Sequence, residues 1–412
     1  MRSLLFQNVK VFDGTGSDLF AAEVLVEGNR IAEVSRRPGG IAPQRAGAIV
    51  DGGGHTLMPG LVEPHSHLCF TSAKGRISKE WMPPPERHQF IAAHNAKVLI
   101  DHGFTSAFSG GATRPGVEVA LRDEIAGGWL PGPRLKASSF ERTVSGDRTE
   151  FAPGLEAARA FAQDMVALGV DSMKLILSGR GALDPAHWAQ INYGDEELAL
   201  VSALAREADV RLTCHAYMPE AVKLAVKHGF HCLYHCNFAD DEAIDMIEAR
   251  KDELFVAPAI GILMADAQDR CATREEAAAI GTFEAIEGQQ RVIPELRRRG
   301  VRVLPGGDYG FPHNPHGRNA RDIELFVSQF GYTPGEALRA ATQYGGQVMG
   351  MGKELGLVRE GYLADLLLVR GNPLLNLAIL QEPGNLLMIM KDGEYHKAPA
   401  VNRLEGPSAR VA

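Results

Sequence analysis

The sequence predicts an α/β protein: a (β/α)8 TIM-like barrel joined to a small β-sandwich domain built from both chain ends. Three observations favour this fold class. Short strand-like segments separated by turn residues open the chain and return near its C-terminal end. Between them, eight strand-like segments alternate with helical patterns. An open doubly wound sheet is the alternative, but no GxGxxG motif follows the first strand to mark a dinucleotide crevice.

The two ends of the chain share one strand-like pattern. The N-terminal part contains SLLFQNVKVFDG and AAEVLVEGNRIAEV, and the C-terminal part contains GLVREGYLADLLLVRGNP and LLMIMKDGEYH. These segments show no helical period, and pairs such as Asp13-Gly14 mark turns between them. Since a sheet must bury at least one face, we expect residues 1–57 plus 355–412 to form a composite β-sandwich domain and residues 58–354 to form the barrel.

The middle of the chain alternates between strand-like and helical segments. Apolar residues three and four positions apart predict helices over 155–169, 195–208 and 219–229. The candidate barrel strands are residues 57–63, 104–108, 134–138, 172–177, 211–215, 231–235, 254–257 and 301–304. A barrel of this kind has its active site at the carboxyl ends of its strands.

Composition and charge exclude several classes of partner. The 412 residues are 45% hydrophobic and 23% charged, and the net charge of −8 without a basic tract argues against nucleic acid and membrane surfaces. Polar residues interrupt the N-terminal apolar stretch before it reaches signal-peptide length, and no apolar run is long enough for a transmembrane helix. Five cysteines are an odd number, which favours free thiols in a reducing compartment. We therefore expect a cytoplasmic protein that acts on a small-molecule substrate.

Two histidines one residue apart close the first candidate barrel strand, in LMPGLVEPHSHLCF (57–70). Alternate residues of a strand point to the same side, so Glu63, His65 and His67 would share a face. Two imidazoles placed in this way can bind one metal ion. The alternative is a pair of histidines whose hydrogen bonds are satisfied within a polar core.

Further metal-type side chains stand at later strands. Lys174 lies in the apolar strand DSMKLILSG, where burial would keep its amine neutral and able to add CO2 as an anionic carbamate. The alternative is a lysine that snorkels or pairs with an acid. TCHAY supplies His215, LYHCNF supplies His235 and LPGGDYG supplies Asp308. A histidine at a strand end is common, and an aspartate after glycines usually caps a helix or turns the chain. The order of all six groups, however, predicts their convergence on one face of the barrel.

These motifs resemble the amidohydrolase superfamily, in its binuclear class with a carboxylated lysine. The resemblance covers nearly the whole chain. VFDGTG and VLVEGNRIAEV resemble the opening β segments of the family, and residues 57–67 resemble its PGLxDxHxH signature. ELFVSQFGYTPGEALRAAT and LGLVREGYLADLLLVRGNPL resemble its closing helix and its return to the β domain. HAYMPEAVKLAVKHGFHCLYHC resembles the branch of imidazolonepropionase-like hydrolases and Xaa-Pro or Xaa-Arg/Lys dipeptidases, which includes aromatic amide, phenylurea and carbamate hydrolases.

The resemblance implies a site with two divalent metal ions, zinc first, with manganese, cobalt and iron left open. The metal ligands that it implies are His65, His67, Lys174, His215, His235 and Asp308. The HxH pair and Asp308 would hold one ion, the two later histidines would hold the second, and the N-carboxylated lysine would bridge them. A hydroxide bridging the ions would attack the substrate carbonyl, and Asp308 would carry its proton to the leaving nitrogen.

The chain departs from the family pattern at three places. Glu63 stands where the family has Asp, LYHC (233–236) stands for Ile-Glu-His-Gly, and GFTSAFSGG lacks the Arg-Asp of many dipeptidases. The six metal-type residues survive these changes, whereas the substrate pocket departs from that of a dipeptidase.

The substrate side of the site has its own candidates. Tyr217, two residues past His215, would share the strand face of that histidine and donate to the substrate carbonyl; the alternative is core packing with a bonded hydroxyl. The loops after barrel strands bind substrate, and here two of them are rather apolar. The candidate substrate contacts are Trp81, Met82, Arg180, His313 and His316. For the arginine and the two histidines, a solvated surface position is the alternative.

The predicted function is metal-dependent hydrolysis of a C–N bond, in an amide, urea or carbamate of a small aromatic or apolar substrate. A dipeptidase of the Xaa-Pro or Xaa-Arg/Lys type is the alternative among enzymes. A deaminase fits less well, because such members of the superfamily typically use one metal and lack the carboxylated lysine. A non-catalytic scaffold is the alternative from another class, and the intact ligand positions argue against it. The branch resemblance also implies a homo-oligomer.

Overall fold

The computed structural model describes residues 3–71, 83–142, 152–179, 185–399 and 403–405. The strands within these ranges are β1 (Ser3–Val11), β2 (Phe20–Glu27), β3 (Arg30–Ser35), β4 (Ala48–Asp51), β5 (Thr56–Pro59), β6 (Leu61–Ser66), β7 (Phe104–Ser109), β8 (Arg134–Lys136), β9 (Ser172–Ile176), β10 (Arg211–Ala216), β11 (Cys232–His235), β12 (Phe255–Ala257), β13 (Leu366–Val369), β14 (Leu386–Lys391), β15 (Glu394–Lys397) and β16 (Arg403–Glu405). The α-helices are Pro85–Asp101, Val117–Ala126, Leu155–Leu168, Asp195–Glu207, Pro219–Lys227, Asp241–Ala249, Ile260–Ala265, Arg274–Ala279, Thr282–Arg298, Arg321–Phe330, Pro334–Arg339 and Gly345–Val348.

Parallel strands from the middle of the chain follow one another in a ring. β6, β7 and β8 pair in that order, and β9, β10, β11 and β12 pair as a second set. A parallel bridge between Ser138 and Ser172 joins the two sets. Residues 303–309 close the remaining gap, with parallel bridges to β12 on one side and to β6 on the other. The predicted α/β class is confirmed, and the ring order is that of a (β/α)8 barrel.

The first predicted barrel strand, 57–63, is two strands in the structure. β5 pairs with β1 and β13, whereas β6 pairs with β7 of the ring. Gly60 lies between them against Thr105, and a Cβ on this glycine would stand 2.1 Å from Thr105 Oγ1. The apolar run around Gly60 therefore contributes one strand to the mixed sheet and the next strand to the ring.

Two other predicted barrel strands are shorter than expected. The third, predicted over 134–138, ends at Lys136 as β8. The eighth, predicted over 301–304, is present only as isolated bridges. Pro305 follows it, and because proline has no N–H, it cannot continue a ladder of hydrogen bonds.

Both ends of the chain contribute to one mixed sheet. Within the described ranges this sheet has nine strands, in the order β15-β14-β13-β5-β1-β2-β3, with β4 added to β1 and β16 added to β4. Successive residues of β2 point to opposite faces of the sheet: Val24 packs in one apolar cluster and Leu25 packs in another. Both faces of the sheet are therefore covered. The predicted β part built from both ends is therefore present. The domain limits 1–57 plus 355–412 and 58–354 stay a prediction.

The structure also bears on the expected membrane and thiol properties. No helix in the described part of the chain is long and apolar enough to span a bilayer. The five cysteines all lie within that part, and all are free: Cys69, Cys214, Cys232, Cys236 and Cys271.

Candidate metal centre

The carboxyl ends of the ring strands bring five predicted ligands together. Donor atoms of His65, His235 and Asp308 lie within 4.8 Å of one another. His67 Nε2 lies 2.7 Å from Asp308 Oδ1, and the ring of His215 lies 4.3 Å from the ring of His235. All five side chains are buried. The histidines lie within or directly after the last two residues of β6, β10 and β11, and Asp308 lies in the 303–309 segment.

Two of these residues have a backbone conformation that L-amino acids rarely adopt. His235, the last residue of β11, has φ of 77°, and Asp308 has φ of 61°. A non-glycine residue in this left-handed region costs about 1–2 kcal/mol. Such strain concentrates at functional sites, and here it belongs to two of the candidate ligands.

Several imidazole nitrogens of the cluster have no hydrogen bond from any residue that the structure describes. They are Nδ1 and Nε2 of His65, Nε2 of His215 and Nδ1 of His235. A buried polar atom left without a partner costs about 1–3 kcal/mol, so native proteins rarely retain one without a purpose. Imidazole nitrogens beside a carboxylate are a donor set that divalent transition metals prefer. The residues present therefore fit a metal ion.

The electrostatic environment keeps most of these imidazoles neutral. Burial, together with the nearby Lys174 charge, lowers the pKa of His215 to about 3. Burial also lowers the pKa of His65 and of His235 well below the ordinary value. His67 differs: burial lowers its pKa, but the hydrogen bond to Asp308 and the negative charges of Glu141 and Asp308 together raise it above the ordinary value. Neutral imidazole is the form that binds a metal.

Lys174 lies in β9 and is 1% exposed. Its Nζ donates to Gly110 O at 2.6 Å and stands 4.3 Å from the centre of the Tyr234 ring. Glu141 Oε1 lies 3.4 Å from the same Nζ. The structure thus gives this lysine an acidic neighbour, which was the alternative to a carboxylated amine.

Two residues that depart from the family pattern, Glu63 and Tyr234, contact His65 or its backbone. Glu63 is fully buried, accepts a hydrogen bond from His65 N at 2.9 Å and accepts another from Asn319 at 2.7 Å. Tyr234 stacks on the His65 ring with 3.8 Å between ring centres, and its hydroxyl donates to Pro64 O. Both substituted residues therefore orient His65.

Tyr217 lies just past the end of β10 and is fully buried. Its ring stacks on His215 at 4.6 Å, as expected for two side chains on one face. Its hydroxyl has no hydrogen-bond partner among the described residues. The alternative was core packing with a hydrogen-bonded hydroxyl, and no described residue supplies that hydrogen bond.

The two loop histidines are not solvated. His316 is 9% exposed, and its Nε2 lies 3.1 Å from His67 O, so it supports the loop that carries a candidate ligand. His313 Nε2 lies 3.1 Å from Asp266 Oδ1. Their predicted substrate contact stays a prediction. Trp81, Met82 and Arg180 lie outside the described residues.

Glu141 is a site residue that the sequence reasoning missed. It follows β8 by a few residues, in ASSFER, and its carboxylate reaches the lysine of the neighbouring strand. The signal was available, because an acidic residue shortly after a predicted barrel strand lies at the same end as the other candidates.

A ring of parallel strands with imidazoles and a carboxylate at its carboxyl end defines a barrel protein with a candidate metal centre. The family model for the Amidohydrolase family matches residues 56–395, and the chain belongs to that family. The match confirms the family that the motifs resembled.

Similar proteins cover the same branch. Ochratoxinase of Aspergillus niger is 27% identical over 260 residues, which are 61% of this chain and 51% of that protein; the chain thus matches about half the length of this relative. The crystal structure of a Xaa-Pro dipeptidase with bound methionine superposes with a TM-score of 0.83 at 23% identity, over 96% of this chain and all of that one (100%). The structure of phenylurea hydrolase B gives 0.76 at 20% identity, over 95% and 96% of the two chains. At these identities the two structures show the fold alone.

Proposed function

We propose that this protein is a metal-dependent hydrolase of a C–N bond in an amide, urea or carbamate, acting on a small aromatic or apolar substrate. The observation that carries the proposal is the convergence of four buried histidines and Asp308, with several imidazole nitrogens lacking hydrogen bonds within the described residues. Membership of the Amidohydrolase family supports the reaction class.

In the proposed site, the HxH pair and Asp308 would hold one divalent ion, and His215 and His235 would hold the second. N-carboxylated Lys174 would be a ligand shared by both, and zinc is the first choice of metal. The ions, when bound, supply Lewis acidity that activates water and polarises the scissile carbonyl. The neutral state of three of the histidines supports this assignment, because it removes the need to displace a proton.

The chain's own side chains move the protons and hold the substrate. Asp308 takes the proton of the attacking water and delivers it to the leaving nitrogen, which leaves as an amine when the C–N bond breaks. Tyr217 donates its free hydroxyl to the carbonyl oxygen, where negative charge develops. Glu63 and Tyr234 hold His65 in place.

The proposal extends to the protein's surroundings. We expect a small-molecule substrate, a homo-oligomeric protein without nucleic-acid or membrane partners, and a cytoplasmic location. The net charge of −8 is the support for excluding polyanionic partners.

The test combines metal content with turnover. Purified protein and the Lys174→Ala variant are assayed for bound metal and for cleavage of an N-acyl aromatic amine, a phenylurea, a carbamate, and Xaa-Arg and Xaa-Pro dipeptides. Carbon-13 NMR after exposure to labelled bicarbonate reports the carbamate directly. Lys353→Ala, at an exposed position, is the matched control.

We expect about two metals per chain, a carbamate signal, and cleavage of an amide, urea or carbamate that is lost in Lys174→Ala but not in the control. Cleavage of dipeptides alone would move the protein to the dipeptidase alternative. Absence of metal, with no effect of the substitution, would contradict the proposal and favour a non-catalytic scaffold.

A further inference from the structure

The GFTSAFSGG segment, which departs from the dipeptidase pattern, ends in a turn that contacts two of the candidate ligands. Gly110 O accepts a hydrogen bond from Lys174 Nζ at 2.6 Å. The next carbonyl oxygen, Gly111 O, lies 2.7 Å from Nδ1 of His67. Two consecutive backbone carbonyls therefore contact the lysine nitrogen and one ring nitrogen of the HxH pair.

Other side chains of the site pack directly on this turn, so both of its last positions need glycine. A Cβ on Gly110 would stand 2.4 Å from His65 Cδ2, and a Cβ on Gly111 would stand 2.6 Å from Glu141 Cγ. Gly111 also has φ of 132°, which L-residues rarely adopt. Glycine allows this close approach, but it also has the largest conformational freedom of any residue. The turn therefore needs a further group to hold it.

Ser109 is the side chain that holds the turn. This residue is the last of β7 and is fully buried, and its Oγ accepts a hydrogen bond from Gly111 N at 3.1 Å. The neighbouring Gly110 N donates to Ser66 O of β6 at 2.9 Å. The backbone of the turn is thus fixed at one residue by the adjacent strand and at the next by the Ser109 hydroxyl.

Both carbonyl contacts fit the working site as well as the structure described here. A carboxylated lysine keeps one N–H on its nitrogen, so Gly110 O can accept from Lys174 before and after CO2 is added. Gly111 O accepts from His67 Nδ1 in the tautomer whose Nε2 keeps the lone pair that a metal ion requires. The outer hydrogen-bond partner of a ligating histidine fixes its tautomer and the orientation of its ring.

We propose that Ser109 is a positioning residue of the metal centre, which orients the Lys174 nitrogen and the His67 ring together through the carbonyls of Gly110 and Gly111. This inference rests on the proposed function and deepens it, because it makes lysine carboxylation and metal retention depend on one backbone turn. Without the hydroxyl, two adjacent glycines gain freedom, and both ligands lose a fixed partner.

The test compares Ser109→Ala with Ser202→Ala as the matched control. Ser202 is also buried, and its hydroxyl donates to His228 O at 2.7 Å, outside the metal centre. Zinc affinity is measured by competition with a chromophoric chelator, and the lysine carbamate by carbon-13 NMR at a fixed concentration of labelled bicarbonate. Denaturant unfolding of the metal-free proteins separates positioning of the ligands from a general loss of stability.

We expect Ser109→Ala to weaken zinc binding by about 10- to 100-fold, as loss of an orienting partner typically does, and to lower the carbamate signal. Ser202→Ala should keep both at the wild-type level, although the two variants lose similar stability in the metal-free form. Wild-type zinc affinity and carbamate signal in Ser109→Ala, or equal losses in the two variants, would overturn the inference. Failure of the proposed function would look different, because the wild type itself would then bind no zinc and give no carbamate signal.

Discussion

Among single residues, Tyr217 is the one whose substitution should lower turnover without removing metal. Its hydroxyl is buried without a hydrogen bond from the described residues, while its ring packs on His215. Tyr217→Phe keeps the ring and removes the donor. We expect kcat to fall by about 100-fold, since one oxyanion donor contributes on that order, with little change in bound metal. Steady-state kinetics beside metal analysis checks this, and a loss of metal in the variant would assign the tyrosine to packing instead.

Asp322 gives the protein a pH-dependent stability. Burial raises the pKa of this carboxyl to about 7, although Tyr309 donates to it at 2.8 Å. The folded state therefore holds the proton more tightly than the unfolded chain, whose pKa is near 3.8. Between those values the free energy of unfolding should fall as pH rises, by up to ~1.4 kcal/mol per pH unit from this group, and then level off.

Asp322→Asn should flatten that part of the profile. The measurement is denaturant unfolding of the metal-free protein at several pH values, with Asp18→Asn, an exposed aspartate, as the control. Glu63, with a pKa raised by burial to about 8, is coupled to the charge of Asp322, so the difference between wild type and variant reports Asp322 together with its effect on Glu63. Parallel profiles for wild type and Asp322→Asn would show that Asp322 does not titrate in this range.

The junction between β5 and β6 is the informative feature at the scale of elements. Gly60→Ala would place a Cβ 2.1 Å from Thr105 Oγ1 and 2.5 Å from Thr105 Cγ2. We expect the free energy of unfolding to fall by ~1–3 kcal/mol, the usual cost of overpacking. Thermal or urea unfolding measures it. Gly384→Ala, which has open space around it, is the control. The double variant with Thr105→Ala should regain part of the loss, and a double variant no better than Gly60→Ala would place the strain elsewhere.

The strands and ligands could be predicted where a local pattern sets them. His65, His215 and His235 were found because each closes an apolar run, and a strand end fixes where its side chain points. The split at Gly60 could not be read in the same way, because LMPGL is apolar on both sides and the choice between two sheets depends on distant strands. The position of Glu141 after a predicted barrel strand could be read from the sequence, but its contact with Lys174 could not. Its partner Lys174 lies on another strand, and only the fold brings them together.

At the scale of the whole molecule, an ion-pair contact connects the barrel ring to the mixed sheet formed by both chain ends. Arg134, at the start of β8, donates to Asp365 at 2.7 Å just before β13 and also pairs with Asp392. Asp365 is 2% exposed at its side chain. Arg134→Met would leave this buried carboxylate without its cation, which we expect to cost ~3–5 kcal/mol of unfolding free energy.

Denaturant unfolding measures that loss, and the double variant Arg134→Met with Asp365→Asn should recover part of it. Arg45→Met is the matched control, since the side chains of Arg45 and its partner Glu33 are 44% and 33% exposed, and solvent-accessible pairs contribute about 0–1 kcal/mol. Equal effects of the two arginine substitutions would show that the Arg134 pair does not tie the ring to the sheet.

The pairing of β5 with β13 has a consequence for how the protein is made. Thr56 donates to Gly371 O, a residue 315 positions later in the chain, and β5 cannot complete its sheet until that residue has left the ribosome. Throughout translation of the barrel, the nascent chain holds an apolar strand edge open beside β6, which contains His65 and leads into His67. Synthesis at about 5–20 residues per second would leave that edge unpaired for tens of seconds.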